Sequence, residues 1–562
     1  MASTQYDAIV IGSGITGGWA AKELTEKGLK VLILEAGRPI SPEKDYVEHV
    51  PTWELKYRGW DDRNARAKVQ PVQREVYYAC DEFSNKFFVN DVENPYVSDP
   101  GKPFSWIRGR QVGGKSITWG RQSYRWSDLD FEANLKDGIA IDWPIRYKDI
   151  EPWYDYVESF VGISGQAEGL PQLPDGKFLP PMEMSCAEMT VRDALPKHFD
   201  DGRMMTIGRT AILTKVHNGR APCHYCGVCH RGCITGSYFS SLSSTLPAAE
   251  KTGRLTIRPF SVVHSLVYDT NTRKVSGVRV IDGQTHQALE FKSRIVFVCA
   301  SALESARILL NSSTPEFPNG LANSSGELGR NVMDHVMGGG AEGLIPGHLD
   351  KMPIGNRPNG IYVPRFRNVK TKASGFIRGY GYQGGATRED WQRGMTRAGF
   401  GVDFKNALKR PGAWHMTFYG FGECLPNHDN YIEINKEKND AWGIPTIKIH
   451  CAFGQNEAAM LQDMALQAAE MLVAAGATEI NAFAENNPPG LTIHEMGTAR
   501  MGRDPKTSVL NEHNQAHEAK NLFMTDGACM ASSSCVNPSL TYMALTARAC
   551  DYAVSQMKRN EL

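Results

Sequence analysis

YDAIVIGSGITGGWAAKELTEKGLKVLILEAG, residues 6–37, decides the fold. Ala8-Ile9-Val10-Ile11 is a short apolar β-branched run, the pattern of a strand buried in a parallel sheet. Gly12, Gly14 and Gly17 follow at G-x-G-x-x-G spacing. The first allows a tight turn and the second lets the backbone approach a pyrophosphate. The third lets the next helix pack on the strand with its N-terminus toward the phosphates. That helix is predicted to pass through Ala21 and Leu24 and to stop at Gly28, a C′ glycine. Val31 to Leu34 is the second strand, and it delivers Glu35 where a carboxylate can hydrogen-bond a ribose hydroxyl. Strand, helix, strand and acid in register predict a dinucleotide site rather than an ordinary glycine-rich turn. Glu35 argues against NADP, whose 2′-phosphate needs a cation, and leaves NAD and FAD open.

The 562 residues provide for two to four domains and a large core. Lys+Arg 62 balances Asp+Glu 62, so nucleic acid is not an expected partner. No apolar run approaches the ~18 residues needed to span a bilayer. MASTQYD leads straight into the first strand without the features of a signal peptide, so the chain is expected to carry no address of its own. Four of the 12 cysteines crowd into one loop, which favours a cofactor over a disulfide framework.

After Glu35 an aromatic stretch with Trp53, Tyr57, Trp60, Tyr77, Tyr78, Phe83, Phe87 and Phe88 is expected to cover one side of the nucleotide domain. WIRGRQVGGKSITWGRQSYRW, residues 106–126, holds Gly113-Gly114, a second close-approach loop flanked by Arg108, Arg110 and Arg121. PCHYCGVCHRGC places Cys223, Cys226, Cys229 and Cys233 at C-x2-C-x2-C-x3-C, the spacing of a bacterial iron–sulfur run. Zinc is the lesser reading, because structural zinc usually takes two C-x2-C knuckles set well apart. Ile234 stands where ferredoxins have proline, and there is no second run, so one cluster is expected. Residues 255–257, 262–267 and 295–298 read as strands, the last ending in Cys299-Ala300-Ser301-Ala302 before a helix. Between Gly338 and Pro489 alternating segments predict antiparallel strands, with a methionine-rich amphipathic helix over 456–476 whose methionines fill a core. Near the end, His494 sits before a glycine-bearing turn and Asn537-Pro538 precedes a helix. Asn537 also suits an N-cap with proline at N1, and His494 also suits a hydrogen-bonded core histidine.

Together these segments resemble the glucose–methanol–choline (GMC) oxidoreductase family over nearly the full chain. Gly12, Gly14, Gly17 and Glu35 match its FAD-binding opening, and Gly113-Gly114 its second flavin loop. Val263 matches the strand residue near the adenine, and residues 329–335, GRNVMDH, match its G-R-N-x-x-D-H. Asp526-Gly527 match a late flavin contact, His494 falls on the catalytic histidine and Asn537 on its partner position. The resemblance implies FAD, and the cysteine run narrows it to the iron–sulfur-containing sugar dehydrogenase subunits, of which glucoside 3-dehydrogenases look most similar. Cys223, Cys229 and Cys233 reproduce the spacing that holds a three-iron cluster in one relative; Cys226 is extra, which leaves [3Fe-4S] and [4Fe-4S] both open. Thr118 replaces the histidine that tethers flavin in pyranose oxidases, so the FAD is expected to be non-covalent.

The resemblance implies an α/β fold with an antiparallel sheet, a Rossmann-type FAD-binding domain interleaved with a substrate-binding sheet domain. Residues 1–128, 217–337 and 490–562 are assigned to the first, with the iron–sulfur loop at 221–235, and 129–216 and 338–489 to the second. It implies oxidation of a pyranose or glucoside hydroxyl at C3 by hydride transfer to FAD, with electrons leaving through the cluster to a c-type cytochrome. A small subunit carrying an export signal would take the chain to the periplasm; a cytoplasmic location is the alternative. Rival readings are a C1 glucose or other polyol dehydrogenase, an oxygen-using pyranose oxidase, and a non-catalytic flavin electron-transfer subunit.

Overall fold

β1 (Tyr6–Ile11) runs through the middle of the largest sheet, where Ala8, Ile9 and Val10 have no exposed surface. Burying a side chain such as Ile or Val contributes about 1.5–3 kcal/mol, so the run commits this segment to a sheet interior. The structure, a computed structural model, describes residues 6–56, 62–76, 79–373, 375–395 and 397–562. Tyr57, Trp60, Tyr77 and Tyr78 lie outside the described residues, as does the start of the chain before Tyr6.

Beside β1 stand β2 (Val31–Leu34), β3 (Leu255–Arg258), β4 (Ser261–Asp269), β5 (Lys274–Asp282) and β6 (Ala288–Val298). Their spatial order is β3-β2-β1-β6-β5-β4, and the late strand Leu522–Met524 pairs in parallel with β6. β6 is parallel to β1 at its C-terminal half and antiparallel to β5 at its N-terminal half. It therefore joins the nucleotide-type sheet to a hairpin. α1 (Ile15–Glu26) links β1 to β2 and ends before Gly28, which has a φ of +98° as its C′ position requires. α2 (Ala302–Leu310) follows β6 and repeats the strand–turn–helix step, with Ser301 at a φ of +82° in the turn.

The second sheet contains β7 (Val336–Ile345), β8 (Ile361–Val363), β9 (Tyr380–Arg388), β10 (Trp414–Gly422) and β11 (Thr478–Ala484). It is antiparallel throughout, in the order β11-β7-β10-β9-β8, with Thr206–Ile207 at the far edge. α3 (Gln455–Ala474) covers it, and Met460, Met464 and Met471 are buried against Met416 and Phe418. The methionines are core filler, as their spacing predicts. Tyr431–Asn439 and Pro445–His450 pair with each other but stand apart, in a three-stranded sheet with Val97–Ser98. Phe131, Trp143 and Tyr154 are buried in the same cluster as Ile9 and Val298. Phe87 and Phe88 pack with Ile107 and Ile117, whereas Trp53 is 69% exposed. α4 (Ser539–Lys558) closes the chain against α1.

Gly12 and Gly28 separate two costs. Both have a left-handed backbone, but a Cβ on Gly12 would lie 2.5 Å from the Cys299 carbonyl oxygen, and one on Gly28 meets nothing within 4 Å. Gly28→Ala should cost about 1 kcal/mol of unfolding free energy. Gly12→Ala should cost that plus an overpacking penalty of about 1–3 kcal/mol. Denaturant unfolding of the two variants side by side checks this, and equal losses would show that the turn relieves the clash.

Candidate functional site

A cavity of about 980 Å³ opens where the C-terminal ends of β1, β2 and β6 meet the second sheet. That volume is at the upper end for small-molecule and cofactor sites. Its position, outside the carboxyl ends of parallel strands, is where open α/β sheets bind ligands.

Glycines make its floor. A Cβ on Gly17 would stand 2.0 Å from the Gly12 carbonyl oxygen, so α1 packs on the turn only without side chains there. Gly113 and Gly114 bring a second loop against the first: a Cβ on Gly114 would lie 2.9 Å from the Gly14 Cα. Ser13 ties them together. Its hydroxyl accepts from the Gly113 amide at 3.0 Å and donates to Glu35 Oε2 at 2.5 Å, while its own amide donates to the same oxygen at 3.0 Å. Glu35 Oε1 accepts from the Gly37 amide at 2.9 Å. Burial pushes the Glu35 carboxyl up, against the pull of these donors. Glu35 and Val263 both line the cavity.

Asp526 and Gly527 line it as well. The Asp526 carboxylate accepts from the Ser301 amide and the Ala528 amide, each at 3.0 Å, and from the Ser305 hydroxyl at 2.5 Å. Burial outweighs these bonds and raises its pKa to about 6.

His494 and Asn537 share this cavity. Asp334, fully buried, holds the segment that carries His494: its Oδ2 accepts from the Gly490 amide at 2.7 Å and the Thr492 amide at 3.1 Å. Its Oδ1 accepts from the His494 amide at 3.0 Å and from the Thr492 hydroxyl. The imidazole of His494 meets that of His335 Nδ1 to Nδ1 at 2.9 Å, with the rings at 76°. Burial, the His335 ring and the Lys115 ammonium hold His494 well below the usual imidazole range, so the ring is neutral at neutral pH. Lys115 is paired with Glu495 at 3.0 Å. Asn537 does not cap α4. Pro538 occupies the N-cap position, and Asn537 Oδ1 instead accepts from Gln383 Nε2 at 2.6 Å.

The four cysteines of 223–233 share one loop, and Cys229, with Gly227 and His230, reaches the cavity wall. Cys223, Cys229 and Cys233 pack against Met182, Ile207, Ile212 and Tyr238. Burial raises the Cys223 thiol to about 11, and its three cysteine neighbours add to the rise. Cys223 Sγ accepts from the Tyr225 amide at 3.4 Å, and Cys233 Sγ meets Thr235 Oγ1 at the same distance. Among the described residues no group of three or more His, Cys, Asp or Glu side chains is arranged to hold a metal ion. The expected ligand set is thus brought to one loop without the arrangement of a closed metal site.

Nothing local in the sequence gives Lys115 or Glu495 a role at this site, and the G-R-N-x-x-D-H match includes Asp334 and His335 without assigning them one. Glu495 Oε1, Tyr542 Oη, Trp106 Nε1 and Arg121 Nε are buried polar atoms on the cavity-lining residues with no partner in the protein. Orphaned groups of this kind call for a polar ligand. Together with the glycine cradle and Glu35 they fit a dinucleotide.

A family model described as GMC oxidoreductase matches residues 6–337, and a second of the same description matches 426–546. A 2-methyl-1,2-propanediol dehydrogenase from Mycolicibacterium austroafricanum is 29% identical over 98% of this chain and 95% of its own. A fructose dehydrogenase large subunit from Gluconobacter japonicus is 27% identical over 98% of both. The crystal structure of pyridoxine 4-oxidase from Mesorbium loti superposes with a TM-score of 0.60 at 17% identity, covering 97% of this chain and 98% of that one. The last likeness shows the fold.

Each Asp334 oxygen serves two donors, so Asp334→Asn strands at least part of the set. The expected loss is about 2–4 kcal/mol of unfolding free energy, the cost of one or two unsatisfied buried donors. Chemical denaturation measures it, and a loss below about 0.5 kcal/mol would mean that the carboxylate does not hold residues 490–494.

Proposed function

The chain belongs to the GMC oxidoreductase family, and from that premise we propose an FAD-dependent dehydrogenase that oxidises a pyranose or glucoside hydroxyl, at C3. The family acts on CH–OH groups and uses FAD. The observation that carries the reading is a neutral His494 lining the same cavity as Asn537 and the glycine cradle. Gly12, Gly14, Gly113 and Gly114 would take the pyrophosphate side of FAD, Glu35 the ribose, Val263 the adenine end, and Asp526-Gly527 a late contact. When bound without a covalent link, FAD supplies the hydride acceptor.

His494 takes the hydroxyl proton of the substrate. A positioned base contributes roughly 10²–10⁴ in rate. Gln383 fixes the Asn537 amide with its oxygen turned to Gln383, which leaves the Asn537 nitrogen as a donor for the same substrate oxygen. Burial, helped by His335 and Lys115, keeps the His494 ring neutral and ready to accept.

The sugar substrate is supported by the similarity to a fructose dehydrogenase large subunit, whose name also supports a further subunit. That subunit is proposed to carry the export signal to the periplasm and a c-type cytochrome to accept the electrons. The loop at 221–235 is proposed as the electron exit. Its support is the spacing and donor type of Cys223, Cys226, Cys229 and Cys233 and the place of Cys229 on the cavity wall. An iron–sulfur cluster there would take electrons one at a time. A small-polyol dehydrogenase is the second reading, favoured by the propanediol dehydrogenase relative.

With a methyl glucoside and a dye acceptor, the purified protein should reduce the dye and yield a 3-keto product by NMR, and release FAD on acid precipitation. Turnover of 1,2-diols alone would favour the second reading, and gluconolactone from free glucose would favour C1 oxidation. Iron and acid-labile sulfide should both be found; zinc without sulfide would remove the cluster.

The low pKa of His494 sets the sign of the pH dependence. The base is the neutral ring, so flavin reduction by substrate should stay level from neutral pH to well below 6.5 and fall only as the ring protonates. Lys115→Met removes a repelling charge and should move that acid limb upward. His494→Ala should slow single-turnover reduction by about 10²-fold or more with FAD retained. An acid limb at or above 6.5 in the unaltered protein would show that another group is the base.

A further inference from the structure

We propose that His335 is a positioning residue that sets the tautomer of His494, so that the bare nitrogen of His494 is Nε2. The inference rests on the reading of His494 as the base. His335 is 1% exposed and, unlike His494, does not line the cavity, so it has no substrate of its own to touch.

With His335 neutral, the geometry leaves one hydrogen assignment. His335 Nε2 lies 3.1 Å from the Ser533 carbonyl oxygen, which can only accept, so Nε2 carries a hydrogen. A neutral His335 then presents a lone pair at Nδ1. The 2.9 Å contact between the two Nδ1 atoms needs one hydrogen, and only His494 can supply it. His494 is therefore Nδ1–H, and its Nε2 is the free base. Burial favours the neutral form of His335, which agrees with this assignment. With His335 doubly protonated the direction would reverse: His494 would accept at Nδ1, hold its hydrogen on Nε2 and have no lone pair for substrate.

The contact also acts during turnover. When His494 Nε2 gains the hydroxyl proton, its Nδ1–H bond to His335 becomes charge-assisted and stronger. The proton stays on His494, and His335 does not change its own protonation. A second contact from the same dipeptide holds the backbone: Asp334 accepts from the His494 amide at 3.0 Å. Neighbouring residues thus place the ring and orient its hydrogen separately.

Ring-¹⁵N histidine NMR of the full-length, FAD-loaded protein tests the tautomer without any substrate. The signals of His494, identified by their loss in His494→Gln, should show a protonated Nδ1 and a bare Nε2 at neutral pH; the Nε2–H form would overturn the proposal. His335→Asn keeps an acceptor, its side-chain oxygen, near the place of Nδ1 and should reduce flavin within about 10-fold of the unaltered rate. His335→Leu offers no acceptor and should be slower by about 10² or more at unchanged FAD content, the low end of a lost general base. Equal rates in the two variants would leave His335 with packing alone and overturn the proposal. If no alcohol reduces the flavin of the unaltered protein, the functional reading falls while the NMR result still decides the tautomer.

Discussion

Two loops touch in this protein where neither has room for a side chain. Gly14 and Gly114 meet backbone to backbone, directly above the turn in which Gly17 lies against the Gly12 carbonyl. The contact fixes how far α1 and the 113–117 segment stand from the strand ends, and with it the floor of the cavity. Ser13 adds a polar lock, because one hydroxyl serves both the Gly113 amide and the Glu35 carboxylate. Displacing the second loop would free the Ser13 hydroxyl on one side, and displacing the first would take from Glu35 two of its three donors. The cradle and the carboxylate are therefore one mechanical unit.

Opposite that floor, the reactive wall depends on buried charge instead. Asp334 gathers three amides and a hydroxyl onto two oxygens, and such a carboxylate is tolerated in the interior because every lone pair has a donor. The Lys115–Glu495 pair stands beside it with Glu495 nearly inaccessible. Buried pairs of this kind add little net stability, since desolvation offsets their attraction. Their effect here is on the neighbouring imidazole, which stays uncharged next to a cation.

Much of this was legible in the chain, and for local reasons. Residues 6–37 announce themselves because strand, turn, helix and acid follow each other within a few residues, each with its own period. The methionine-rich helix and the strands around it follow from spacing as well. What stayed hidden depends on contacts between distant segments. His335 and His494 are 159 positions apart, and nothing in either neighbourhood says that their rings meet. Asn537 reads as an N-cap from Asn-Pro alone, yet its oxygen is taken by Gln383 of β9 and Pro538 takes the cap. The cysteine run shows a third limit. Spacing specifies which donors a loop can offer, but Cys223 also meets the Tyr225 amide, Cys233 meets Thr235, and both pack with Cys229 on apolar side chains that the spacing does not announce.

The larger sheet has a consequence for how the molecule comes into being. β1 holds residues from the beginning of the chain, β6 is made midway, and Leu522–Met524 joins β6 only near the end. Asp526 and Asn537, both on the cavity, come later still. Long-range parallel pairing is slow to form, because the intervening loop must be closed before any contact is gained. During synthesis at about 5–20 residues per second the N-terminal glycine turn waits on the order of half a minute or more for its last partners. The first strands gain their outer partners β3 and β6 midway, but β6 lacks Leu522–Met524 until near the end, and the pocket is a half-built cleft until then. The cavity is therefore complete only once nearly the whole chain has been made, and capture of its occupant is a late event in the life of this chain.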